Sequence, residues 1–74
     1  MIAMSKLPYF AFFTELGREG NAVARHPLET NGRGQQKVIL AKTSEPKVGE
    51  VWFGWLDEAP CGTYYFFHPI FRVA

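Results

Sequence analysis

Cys61 is the chain's single thiol, and His26 and His68 are its two imidazoles. A cysteine acts as a nucleophile when a neighbouring base takes its proton. His68 follows Cys61 by seven positions, which on an extended strand is roughly 20 Å, and His26 comes near only through the fold. An incidental or buried cysteine is therefore expected. One cysteine and two scattered histidines also provide no ligand pair at a metal-binding spacing, so no metal and no cofactor are expected. Asp57-Glu58 is the adjacent acidic pair. Neighbouring side chains diverge, which makes them a poor acid–base couple and favours a solvated loop. His26 and His68 each precede a proline and are expected at strand ends or turns rather than as proton shuttles. The residues that could do chemistry do not assemble, and the chain is expected not to be an enzyme.

The totals bound what else is open. Residues 1–74 are enough for one small domain. Apolar residues at 47% and charged residues at 20% are globular values. A net charge of +1 announces neither a polyanion nor an acidic lipid surface as partner. A lone cysteine excludes an intrachain disulfide and points to a reducing, cytoplasmic setting. The apolar stretch Leu7–Phe13, interrupted by Pro8, is too short for a signal core or a membrane span. Met4 is an alternative start, and residues 1–5 are expected to be frayed.

Short apolar runs alternate with turn clusters, the rhythm of an all-β domain. Leu7–Leu16 is the first predicted strand, and Gly17-Arg18-Glu19-Gly20 closes a hairpin onto a second, Asn21–Glu29. Pro27 makes that second strand an edge or interrupts it. Asn31-Gly32-Arg33-Gly34 turns into a third strand, Gln35–Thr43, and Ser44–Gly49 turns into a fourth, Glu50–Leu56. Gly54 within it signals a bulge or sharp bend. Asp57–Gly62 reads as a polar loop, and Thr63–Val73 as a fifth strand bent near Pro69. The expectation is a small five-stranded antiparallel meander, barrel-like or strongly twisted, with at most one short helix.

Three of these strands are apolar on both faces. Strand alternation sets Tyr64, Phe66, His68, Ile70 and Arg72 against Tyr65, Phe67, Phe71 and Val73. It also sets Val51, Phe53 and Trp55 against Trp52 and Leu56, and Phe10, Phe12 and Leu16 against Leu7, Tyr9 and Phe13. An open sheet with one wet side does not look like this. Either the sheet curls into a barrel or a partner covers one face. Aromatic residues make up 16% of the chain, more ring area than so small a core hides.

Two function classes follow. The first is a protein-binding module, with Tyr9, Trp52, Trp55, Tyr64 and Tyr65 as anchors because each offers a polar edge to a partner. Arg18, Arg25, Arg33 and Lys37 would form a basic rim. Its partner would be a host protein or a second copy of the chain. Small β proteins without catalytic groups are often phage- or mobile-element-encoded inhibitors, such as anti-CRISPR proteins, that occupy a host machine. The alternative is a small barrel that binds single-stranded nucleic acid by stacking bases on rings. Residues 17–49 carry a modest positive excess for it, including an Asn31–Lys37 loop suited to a phosphate. Pro46-Lys47-Val48-Gly49-Glu50-Val51-Trp52 resembles the opening strand of MazF-type ribonuclease toxins, which are SH3-like barrels. The resemblance spans seven residues, and no activity is carried over from it.

Overall fold

The computed structural model describes residues 6–74, so the expectation for residues 1–5 lies outside the described residues. Six strands form one sheet: β1 (Lys6–Phe12), β2 (Glu15–Leu16), β3 (Ala22–Thr30), β4 (Gln36–Ala41), β5 (Val51–Glu58) and β6 (Tyr64–Arg72). Their spatial order is β1-β5-β6-β4-β3-β2. The all-β, barrel-like expectation holds, as a strongly curled half-barrel. Strand number and topology differ from the expected five-stranded antiparallel meander.

The first difference lies in the run Leu7–Leu16, which is two strands. β1 pairs with β5 at one edge of the sheet, and β2 pairs with β3 at the other. Between them Phe13 donates its N–H to the Glu50 carbonyl and accepts from the Gly49 N–H, whereas Thr14 donates to the Val23 carbonyl. One chain segment thus belongs to both edges and forces the sheet to curl. Alternation alone does not reveal this switch, because the polarity pattern continues through it.

The second difference is the neighbour of β4. β5 and β6 form an antiparallel hairpin, but β6 also lies parallel to β4, pairing Val38 with Tyr64 and Ala41 with Phe67. The Lys42–Glu50 connection passes over the position that β6 fills. β5 also runs longer than expected, so Asp57 and Glu58 end a strand instead of lying in a loop.

Curling converges side chains on the concave face, and the residues there are correspondingly small. Ala11, Ala22, Ala24 and Ala41 are buried with Phe13, Ile39, Leu56, Tyr65 and Phe67. Phe13 and Phe67 meet edge-to-face with ring centroids 5.4 Å apart. Gly54 belongs to this crowding: a Cβ there would fall on the His68 carbonyl and the Phe67 ring. The β5–β6 register slips at that point, between the pairs Phe53–Phe71 and Gly54–Pro69, which places the bend expected at Gly54 and Pro69. The β3–β4 register is likewise irregular between Arg25 and Thr30, around Pro27.

Candidate functional site

Strand parity turns a continuous group of rings outward on β1, β5 and β6. Phe10 pairs with Phe53, Phe12 with Val51 and Pro8 with Trp55 across β1–β5. Phe53 pairs with Phe71 and Trp55 with His68 across β5–β6. The centroid of Phe53 lies 4.9 Å from that of Phe10, 5.4 Å from Phe71 and 6.3 Å from Trp55. Phe53 thus joins Phe10, Phe71 and Trp55, with Phe12 two residues from Phe10 on the same strand face. The group is not covered: Phe10 is 61% exposed, Phe12 57%, Phe71 51% and Trp55 37%. Ile70, the extra residue at the β5–β6 register slip, and Val73 are also about half exposed. The outward row of β6 continues the group to Phe66 and Tyr64, which pack edge-to-face at 5.2 Å, with the Lys42 ammonium 4.5 Å from the Phe66 centroid.

Of the five expected anchors, Trp55 and Tyr64 stand on this outer surface and the other three turn inward. Tyr65 is buried, and its hydroxyl donates to Glu29 Oε1 at 2.5 Å. Trp52 packs against the core and donates Nε1–H to Glu50 Oε1 at 2.9 Å. Tyr9 is half-buried with its ring stacked 5.4 Å from His26, which in turn lies 6.0 Å from Tyr65. Polar edges chosen as handles for a partner are thus used by the chain itself. The rings that sequence reasoning passed over as anchors are Phe10, Phe12, Phe53 and Phe71. The grouping of Phe10 with Phe12 on one face was readable, but Phe71, expected on the face of Tyr65 and Phe67, is turned to the opposite side by the register slip at Gly54 and Pro69.

The cations divide in the same way. Lys37, with only 13% of its side chain exposed, sits 3.1 Å from Glu58 Oε2 and 3.7 Å from Glu29 Oε1. Arg25 binds Glu15 through Nε at 2.5 Å and Nη2 at 3.0 Å. Arg18 borders a cleft with Leu40, Tyr64 and Phe66, and Arg33 lies beside the Asn31 turn. In that turn Asn31 Oδ1 accepts the Arg33 and Gln35 N–H groups at 2.8 and 3.1 Å. Two donors expected for a phosphate are therefore already taken.

The network around Tyr65 perturbs its members. Its bond to Glu29 and its burial push the Tyr65 phenol up to about 12, while the same bond holds Glu29 below the usual carboxylate range. Burial, then the charge of Glu29, raises Tyr9. His26 Nδ1 accepts the Leu28 and Glu29 N–H groups, both at 3.2 Å. That bonding places the proton of a neutral His26 on Nε2, toward Glu29 Oε2 at 3.8 Å. The histidine's role here is to hold the irregular part of β3.

Cys61 is exposed, and its sulfur lies 3.0 Å from Thr63 Oγ1, the contact that chiefly lowers its pKa. His68 instead faces Asp57 at 3.6 Å. Among the described residues no group of three or more His, Cys, Asp or Glu side chains is placed to hold a metal ion, and no helix is long and apolar enough to cross a membrane. Comparison with protein families, curated protein sequences and solved structures finds no match to this chain.

Proposed function

We propose that the chain is a non-enzymatic protein-binding module whose outer β1–β5–β6 face occupies an apolar surface of a partner. The observation that carries this reading is the exposed aromatic cluster of Phe10, Phe12, Trp55 and Phe71. Rings of about 150–250 Å² each, about half uncovered, leave roughly 400 Å² of contiguous apolar surface. An uncovered patch of that size on a small domain commonly marks a contact site. Blocking a partner's working surface, as a small anti-defence inhibitor does, needs only such a face and no reaction.

Nucleic-acid binding is the less favoured reading. Base stacking would use the same rings, but it also needs free cations beside them. Lys42, over Phe66, and Arg18, beside Tyr64, stand near rings, but at the β6 end, away from Phe10 and Phe12. Arg72 lies 3.5 Å from Glu50, and Arg25 and Lys37 are paired as described above.

The test compares the wild type with a Phe10→Ser/Phe71→Ser variant by affinity capture from a lysate of the native cell, beside urea unfolding of both. The expected result is a protein retained by the wild type and lost by a variant that is still folded. Identical capture by both would remove the aromatic face from the function.

A further inference from the structure

β1 and β3 run side by side without pairing, although Thr14 ties them together at one end. We infer that the seam between them accepts a short extended segment of a partner protein as an added strand. Backbone parity carries this. Phe13 directs its N–H and carbonyl toward β5, and Thr14 directs its N–H to Val23 on β3. Alternation then turns the N–H and carbonyl of Phe10 and Phe12 toward the seam. On the opposite wall the Val23 carbonyl already faces Thr14, so Arg25, two residues on, presents its N–H and carbonyl to the same gap. Among the described residues none of these groups has a backbone partner across the seam.

The gap is a cleft of about 430 Å³ lined by Tyr9, Phe10, Phe12, Thr14, Ala24 and Arg25, with Pro27 and Gln36 at its rim. Thr14 closes one end, and the Tyr9–His26 stack at 5.4 Å crosses the other. Between those limits Phe10 and Phe12 on one wall and Arg25 on the other are the residues whose main chain faces the gap.

An isolated extended segment suits the seam better than an edge strand because, among the described residues, Phe10 and Phe12 on one wall and Arg25 on the other are all unpaired there. An edge strand of a folded sheet, including β1 of a second copy, has one free edge and satisfies one wall. A flexible segment has two. Main-chain bonds of this kind give affinity, and side chains at alternate positions give preference. Here the outward positions would lie beside the exposed rings of Phe10 and Phe12, so apolar residues fit there. Pro8 offers the seam a carbonyl but no N–H, which limits the register. This site is distinct from the β5–β6 part of the aromatic face.

A capped peptide of about seven residues, alternating valine and threonine between terminal lysines, is titrated into the full chain while amide hydrogen exchange is followed by NMR. The expected result is slowing of Phe10, Phe12 and Arg25 amide exchange by about tenfold or more. The same peptide N-methylated at alternate amides should give none. A Phe12→Pro variant, which removes a seam-facing N–H as Pro8 already does without removing a bond to β5, should bind at least about tenfold more weakly. If that variant does not fold, the N-methylated peptide decides. Unchanged exchange at millimolar peptide, or equal protection by both peptides, overturns the inference. So does protection on concentrating the protein alone, which would put a second copy in the seam. Failure here leaves the aromatic-face reading intact, because that reading is tested through side chains and partner capture.

Discussion

The outer aromatic face and the Tyr9–His26–Tyr65 network use the same kind of residue in opposite ways. On the outer face Phe10 and Phe71 each pack against Phe53, yet both remain more than half exposed. In the network the Tyr65 hydroxyl is bonded to Glu29, and Lys37 lies 5.3 Å from the Tyr65 ring centroid. A ring with a polar atom can be buried once that atom has a partner, and burial then strengthens the bond. A phenylalanine needs no such partner, but it needs volume. The curled interior, lined by Ala11, Ala24, Ala41 and Gly54, has little to spare. The surplus phenylalanines are therefore outside, and the contrast separates a stabilising region from an available one.

The strongest way to break that contrast is to disturb the interior itself. Phe67→Ala should cost about 3–5 kcal/mol in urea unfolding, because a fully buried ring leaves a cavity. For a domain this small that approaches the whole margin of stability. A loss below about 1 kcal/mol would show that the interior collapses readily and is not the limiting volume. Gly54→Ala should be similarly severe, since the new methyl meets backbone as well as a ring.

Tyr65→Phe comes next, with an expected loss of about 1 kcal/mol. The sign of its pH dependence is definite. Folding raises the Tyr65 phenol from 10.0 to about 12, so its contribution is complete below pH 10 and drains away as pH rises toward 12. The Glu29 carboxyl is lowered, so its share is present at neutral pH and is lost as pH falls through its folded pKa. Stability measured from pH 9 to 12 should decline more in the wild type than in Tyr65→Phe, and parallel curves would refute the assignment.

Phe10→Ser or Phe71→Ser should change stability by less than about 1 kcal/mol, since half of each ring is already in water. A larger loss would make the outer face part of the core and erase the distinction. The smallest effect is expected from Glu15→Gln, which breaks the exposed Arg25 pair. Its unfolding midpoint should stay within error of the wild type, and any difference should vanish in about 0.5 M salt.

Much of this was legible in the residues. The glycine turns at Gly17–Gly20 and Asn31–Gly34, the irregularity at Pro27 and the bend at Gly54 all rest on local backbone rules, and all fall where those rules put them. The division of Leu7–Leu16 was not legible, because Phe13 and the β-branched Thr14 are both at home in a strand and neither is a turn residue. Nor was the parallel β4–β6 pair, which depends on a connection that skips a strand position. The choice of anchors went toward rings with polar edges, and for Tyr65 and Trp52 those edges are occupied within the molecule.

The amino-acid order alone determined the element types, the turns and the grouping of rings on alternate faces up to the bulge that moves Phe71 to the other side, because each depends on a few neighbouring residues and a period of two. Which face became the interior was decided only when one segment joined both edges of the sheet. That closure made one side concave, and a concave surface has room for alanines and a few large rings but not for all of them.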